Sequence, residues 1–351
     1  MAVNSITYNF DSILSTTWMN YRDTLYDNVF NANPIFYWLH ANERKRITDG
    51  GERIVVPLEY AQNSTIKSMA SGYDTIDTTP QDSITSAYFE WKEIAGSTVI
   101  SNKEVAINQS KSKIIDLLKS KASNTEMSMS EKLNKMLLSF SAGNGGKDLT
   151  PIFNFIQKTP SGSSSVGGIQ QLTYAWWRNA VKSGSGVTTY AGHLTQMDNL
   201  YNSCSKGGSK GKRKYPDAII CDQGYYELYC AAARSKAQIL MTNDNVAELG
   251  FGGAKFRGST LMWDEYFPDV NTTTVVTDPD DYTWTNYGAA FINSEFLEFV
   301  VCSGQDFTVG PFIQPENQKV KVSILYTMGE LTVSNRRKQG LHYLVTTSIT
   351  S

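Results

Sequence analysis

The sequence predicts an α+β chain whose parts depend on one another, and three observations carry that prediction. From Ser97 to Ala142, between Gly96 and Gly143, there is neither Gly nor Pro. Within that stretch Ile107, Ile114, Leu118, Ala122, Met129, Leu133, Met136, Leu137 and Phe140 recur at steps of three, four and seven, one face of an α-helix. Near the C-terminal end Val320, Val322, Ile324 and Tyr326 alternate with Lys319, Lys321, Ser323 and Leu325, the two-residue period of a strand. Between these features, residues 151–304 mix short helical and strand segments without an internal repeat.

Composition sets the outer bounds. The 351 residues are 40% hydrophobic and 19% charged, enough to bury a sizeable core. The formal charge of −2 does not suggest electrostatic capture of nucleic acid, which needs clustered Lys and Arg. MAVNSITYNFDSIL has no basic segment followed by an apolar one, so no signal peptide is expected. No run reaches the ~18 apolar residues of a membrane span. Cys204, Cys221, Cys230 and Cys302 lack C-x-x-C spacing and read as buried thiols of a reducing compartment rather than a zinc site.

Taken in order, residues 1–50 read as an arm. Leu14, Trp18, Leu25 and Val29 fall at helical spacing, Asn33-Pro34 ends the helix, and NPIFYWLHANERKRI then passes from apolar to basic. Residues 51–96 read as an extended hairpin. GGERIVVPLEYA is strand-like, and Ala87, Phe89 and Trp91 alternate with Ser86, Tyr88 and Glu90 across a connection rich in Ser, Thr, Asp and Gly. A two-stranded hairpin is marginal alone in water, so it is expected to lie on another domain or another chain. Ser101 and Glu104 form a capping box, which starts a single helix over about 104–140, roughly 55 Å long at 1.5 Å per residue. GNGGKDLTP breaks it, and DAIICD followed by QGYYELYCAAAR is a strand entering a helix.

Catalytic signatures fail on spacing. His40, His193 and His342 have no motif around them, and there is no G-x-S-x-G elbow. In KGGSKGKR (206–213) three residues, not four, separate Gly207 from Gly211, and Arg213 stands where a P-loop needs Ser or Thr. LGFGGAKFRG (249–258) reads as a turn rather than a dinucleotide fingerprint, and DPDD (278–281) lacks the Gly and Glu of a calcium loop. No enzyme, cofactor or metal is expected. The loop carrying Lys206, Lys210, Lys212, Arg213 and Lys214 reads as solvated or as a subunit contact, without aromatics for base recognition.

A set of segments in fixed order resembles the major capsid proteins of tailed bacteriophages. They are FNANPIFYWL (30–39), SGYDTIDTTPQDSITSAYFEWK (71–92), SNKEVAIN (101–108), NGGKDLTP (144–151), WWRNAV (176–181) and PDAIICDQGYYELY (216–229). LGFGGAKFRGSTLMWDEYFP (249–268), FINSEFLEFVV (291–301), FTVGPFIQPENQKVKV (307–322) and LTVSNRRKQG (331–340) continue the series. The resemblance implies an N-terminal arm at 1–50, an extended loop at 51–96, a peripheral domain with its spine helix at 97–150, an axial domain at 151–306, and a return to the peripheral domain at 307–351. It implies hexamers and pentamers closing into an icosahedral shell around double-stranded DNA held without sequence specificity. It also implies assembly in the bacterial cytoplasm, no membrane, and portal, decoration and scaffolding proteins as partners. The scaffold is expected to be separate, because only about thirty residues precede FNANP. Candidate subunit contacts are Trp18, Lys67, Tyr73, Phe89, Trp91, Lys210, Lys212 and Lys214. Some family members cross-link Lys to Asn between subunits; Lys67 has no recognisable partner set here, so that chemistry is not assigned. An encapsulin-like compartment sharing the fold is the alternative, and a mixed α/β enzyme the reading from a different class.

Overall fold

A computed structural model describes residues 35, 38–39, 42–69, 72–107, 117–207, 215–235, 254–272, 286–346 and 349. Its strands are β1 (Lys45–Thr48), β2 (Ile54–Glu59), β3 (Ile84–Phe89), β4 (Lys92–Ser101), β5 (Ser165–Val166), β6 (Ile169–Gln170), β7 (Ala180–Ser183) and β8 (Ala218–Cys221). They continue as β9 (Ala254–Phe256), β10 (Ser259–Trp263), β11 (Tyr287–Ile292), β12 (Leu297–Cys302), β13 (Thr308–Val309), β14 (Val320–Val333) and β15 (Gly340–Val345). The helices longer than one turn are α1 (Asn102–Ile107), α2 (Leu117–Leu137), α3 (Tyr190–Cys204) and α4 (Gln223–Ser235).

Two sheets organise the chain. In the first, β14 pairs antiparallel with β4 along one edge and with β12 and β13 along the other, and β1 adds parallel to β12. The second has the order β7-β15-β11-β8-β10-β9. Sheet membership crosses the position 306–307 in both directions. β12 lies before residue 306 yet belongs to the sheet of β4 and β14, and β15 lies after 307 yet sits inside the second sheet. β1, within the expected arm, is likewise a strand of the first sheet. A strand goes where its two edges and two faces are best satisfied, and one-dimensional order does not encode that.

The alternation expected for the long C-terminal strand is present, and the structure decides which face is inside. Ser323, Leu325 and Thr327 are buried, whereas Ile324 is 49% exposed. Register fixes this: Ser323 pairs with Thr98 and Leu325 with Gly96, the β4 residues that meet α2. Thr98 Oγ1 lies 2.9 Å from Thr125 Oγ1, and a Cβ on Gly96 would stand only 3.2 Å from the Thr125 methyl. Small residues therefore let α2 approach the sheet closely.

The capping box is formed as the sequence predicts. Ser101 N donates to Glu104 Oε2 at 2.8 Å and Glu104 N to Ser101 Oγ at 3.1 Å. Lys121 on α2 reaches Glu104 at 3.0 Å, tying the two helices together. Residues 108–116 lie outside the described residues, and with them the continuity expected of one helix and the side chain of Ile114. The helix passes unbroken through Ala122–Thr125 but stops at Leu137, not Phe140. There Ser139 N bonds the Met136 carbonyl, tightening the last turn, and Asn144 takes φ of 52° in the glycine-rich break. Phe140, beyond the helix, instead packs its ring 5.4 Å from Phe153. The inward face of α2 is Met129, Leu133, Met136 and Leu137.

The second sheet is covered on both faces, which explains the unbroken apolar run AIIC of β8. Ile219 and Cys221 face α3 and α4 with Met197, Leu200, Tyr225 and Leu228. Ala218 and Ile220 face the main core with Leu133, Phe155 and Trp177. Asp222, between β8 and α4, accepts Tyr225 N at 2.8 Å and Gly288 N at 2.6 Å. Burial lifts its carboxyl to about 7 against the pull of those bonds. Arg257 and Gly258, at φ of 49° and 90°, close the β9–β10 hairpin, the turn predicted for that segment. The four cysteines are free, Cys204 and Cys221 buried and Cys230 and Cys302 half-buried.

Two outcomes test this packing. Leu133→Ala should lower unfolding free energy by about 2–5 kcal/mol in denaturant melts, the transfer-plus-cavity cost of a buried leucine. Glu330, buried with its carboxylate accepting Thr150 N at 2.9 Å and Leu331 N at 2.8 Å, is raised to about 7, chiefly by burial. Its folded value lies above its unfolded one, so its contribution is complete below about pH 4 and is lost as pH rises through 7. Urea midpoints of the wild type should therefore fall more steeply between pH 5 and 8 than those of Glu330→Gln.

Candidate assembly interface

The hairpin of β2 and β3 has a buried base and a bare tip. In its register Ile54 faces Phe89, Val56 faces Ala87, and Glu59 faces Ile84. Ala87 is fully buried and Phe89 is 5% exposed. Phe89 meets Phe155 edge-on at 5.8 Å, Tyr88 N donates to the Gly167 carbonyl at 3.0 Å, and a Cβ on Gly167 would lie 2.8 Å from that of Ala87. Gly167, at φ of 59°, is thus the tight turn that lets the β5–β6 hairpin lie across β3. Ile35, Trp38 and Leu39 are buried in the same core.

Of the two alternatives expected for the hairpin, another domain or another chain, its base at Ala87 and Phe89 takes the first, with Ile35, Trp38 and Leu39 of the expected arm in the same core. Their own chain covers them, because the segment 151–179 folds back beneath the hairpin. Trp91 is half-buried and donates its indole N–H to the Gly51 carbonyl at 2.9 Å, which orients it along the hairpin entry. Trp18, Lys210, Lys212 and Lys214 lie outside the described residues.

Beyond Tyr60 the picture reverses. Tyr60 stacks on Trp176 at 5.7 Å, and Tyr60 N bonds the Ser83 carbonyl at 3.0 Å. From there the loop is held by its own short bonds, from Ser64 to Gln81 at 2.7 Å, from Thr65 N to Asn63 at 2.9 Å, and from Thr79 N to Asp77 at 3.0 Å. The Thr79 bonds also hold the exposed Asp77 carboxyl below its ordinary range. Ile66 is 82% exposed, Tyr73 97%, Ile76 67% and Ile84 70%. Lys67 is exposed beside them. Glu59, Asp74, Asp77 and Asp82 outweigh that single lysine, so the tip is acidic as well as apolar.

A second apolar surface lies on the face of the first sheet turned away from α2. Val99 pairs with Val322, Ile313 bridges to Val322, and Ile324 follows on the same side. Val99, Ile313 and Ile324 are 43%, 64% and 49% exposed, and Lys103, Lys319 and Lys321 are exposed at the same end of the sheet. Ile66, Ile76, Val99 and Ile313 were not singled out from sequence. The TIKSMASGYDTID stretch reads as a polar connection, and only its failure to fold back shows that its isoleucines are presented outward. Contiguous exposed apolar patches of this kind mark protein interaction sites.

The described residues hold no cluster of His, Cys, Asp and Glu able to bind a metal, and none of their helices is long and apolar enough to cross a membrane.

No protein-family model and no curated protein matches the chain. Solved structures do. The chain is similar to the capsid subunit of cyanophage A-1(L), with a TM-score of 0.69 at 13% identity, covering 93% of this chain and 97% of that one. It is similar to the holo-SrpI encapsulin of Synechococcus elongatus PCC 7942, with a TM-score of 0.56 at 8% identity, covering 93% and 95%. The capsid of Myoviridae phage XM1 gives 0.54 at 11% identity, covering 92% and 95%. Together these likenesses show an α+β chain with the fold of tailed-phage capsid proteins and encapsulins.

If the tip has no role inside its own chain, Ile66→Ser and Ile76→Ser together should shift the unfolding free energy of the isolated subunit by no more than about 0.5 kcal/mol in denaturant melts.

Proposed function

We propose that this chain, which carries the tailed-phage capsid fold, is a structural shell subunit that assembles with copies of itself. The observation that carries this reading is the hairpin tip. Its isoleucines and Tyr73 are exposed at the end of an arm that no other described part of the chain covers. An apolar, acidic tip suits the apolar, lysine-edged face of the first sheet on a neighbouring copy, and like tips on a ring of subunits would each find such a face.

In this reading β2–β3 and its loop are the extended loop of the resemblance, and α2 with the β4–β14 sheet is the peripheral part with its spine. The β7-β15-β11-β8-β10-β9 sheet, with α3 and α4, is the axial part that gathers at five-fold and six-fold centres. Hexamers and pentamers then close into an icosahedral shell of a virion, formed in the cytoplasm of a bacterial host. The formal charge of −2 suits a container for double-stranded DNA that must not grip its genome. A portal, a separate scaffolding protein and a decoration protein are the further partners this role implies. Trp18, Lys67, Tyr73 and Trp91 remain proposed subunit contacts, as do Lys210, Lys212 and Lys214. No catalytic turnover is part of the role.

A second reading has its own observation, the encapsulin likeness over 93% of the chain. The two are separated by what the particles hold. Purified full-length protein, viewed by electron microscopy, should form closed shells of uniform diameter. DNA inside particles from infected or induced cells supports the capsid, and protein cargo supports the compartment. Ile66→Asp with Ile76→Asp should leave small oligomers only. Shells formed as efficiently by that variant, or a wild type that stays monomeric with all partners supplied, would sink the proposal.

A further inference from the structure

We propose that the stacked pair His193–His342 is an acid-sensitive latch that pins α3 and α4 to β15 and releases them when the pair takes up a proton. His193 projects from α3 and His342 from β15. Their rings lie 5.5 Å apart, 15° from parallel, and each meets the Tyr225 ring of α4 edge-on, at 5.0 and 5.6 Å. Three elements therefore converge on two imidazoles, both buried to within 1% of complete.

The two rings differ in their partners: hydrogen bonds set the tautomer of neutral His342, and His193 has none. His342 Nε2 is 3.1 Å from Gln196 Oε1, an oxygen that can only accept, so Nε2 carries the proton. His342 Nδ1 then accepts from the Tyr225 hydroxyl at 2.8 Å. A proton added at Nδ1 would turn the Tyr225 hydroxyl from donor to acceptor, so the cost of charging this ring is its burial beside the unpartnered His193 rather than a lost bond. His193 has no partner at either ring nitrogen, so a charge there would be buried with nothing to offset it.

The surroundings oppose charging further. From α4 the pair faces Tyr225, whose phenol burial holds well above its ordinary range, and from α3 the uncharged Gln196. From β7 it faces Lys182, the register partner of His342 and itself a cation. Among the described residues no carboxylate bonds to either ring. Burial accordingly holds His193 down to about 4, and burial, then His193, then Lys182 hold His342 well below 6.5.

The sign of the effect is distinctive. An unfolded histidine takes a proton near pH ~6.5, and these two do not while folded, so the latch is complete above that pH and fails as pH falls toward 4. The buried acids Asp222, Asp264 and Glu330, raised to about 7, 6 and 7, act in the opposite direction and weaken the fold as pH rises. Loosening between pH 6.5 and 5 therefore carries the histidines' signature.

The chain has three histidines, so histidine C2–H exchange read by mass spectrometry on the full-length protein can follow each ring separately. Neither His193 nor His342 should show an inflection above pH 5, and an inflection near 6.5 in either would overturn the proposal. Amide exchange over 190–204 and 340–345, corrected for intrinsic rate, should speed up sharply from pH 7.5 to 5.0. His193→Phe keeps the ring contacts and removes one titration, so its acceleration should be about thirtyfold smaller. Equal acceleration in both proteins would overturn the latch; if the variant does not fold, the wild-type ring titrations decide.

Discussion

A buried guanidinium without a carboxylate is the constraint around which the rest of the structure is arranged. Arg336 is wholly inaccessible and donates to the Phe155 carbonyl at 2.8 Å, the Trp177 carbonyl and Gln171 Oε1 at 3.0 Å, and Asn179 Oδ1 at 3.4 Å. Every acceptor is neutral, so burial pulls its pKa down to about 10 with no ion pair to resist. A buried cation tolerates no missing acceptor, and these four lie on one connection, 155–179. That connection carries Phe155 and Gly167, on which the base of the β2–β3 hairpin rests. The aim of the exposed tip is thus set, through two contacts, by an arginine far away in sequence.

A second polar junction governs how the two sheets meet. Helix α2 lies on the first sheet, yet Asn134 on its inner face donates to Asp264 at the end of β10, 3.0 Å away. One turn earlier Glu131 accepts the Tyr266 hydroxyl at 3.0 Å and pairs with Lys135 at 2.7 Å, and the Lys135 ammonium sits 4.3 Å above the Tyr266 ring. Directional bonds at this seam fix a rotation that an all-apolar contact would leave free to slide. The helix is therefore a joint between two layers as much as a girder along one.

What was legible in the sequence was whatever depends on near neighbours. The capping box at Ser101 and Glu104, the alternation through Ala87 and Phe89, and the turn at Arg257-Gly258 need only a few residues to specify them. The fold was legible through the resemblance. Long-range choices were not. Phe89 was expected at a subunit contact because an isolated hairpin has no core of its own, and nothing local announces that residues 151–179 return beneath it. The apolar residues Val322 and Ile324 alternate as a strand should, yet Ser323, Leu325 and Thr327 are the ones under α2. Leu325 fits on that face because its register partner is Gly96, and Val322 and Ile324 are left on the outward one. Of the candidate contacts, Tyr73 and Lys67 stand exposed as an interface requires. Ile66 and Ile76 were hidden in a stretch whose average polarity resembles any loop.

The placement of β14 and β15 has a consequence for the order in which the chain is built. β14 lies between β4 on one edge and β12 and β13 on the other, and β15 lies between β7 and β11. Both are interior strands supplied by residues 320–345, and their partners begin as early as residue 92. Neither sheet can close while the ribosome is still making what precedes them, because each lacks its middle. Loop closure across more than two hundred residues is slow compared with local helix formation. A nascent chain accordingly exposes its hairpin tip before its β4–β14 face is finished. On the proposed assembly, synthesis would then separate the moment a chain is made from the moment it can join another.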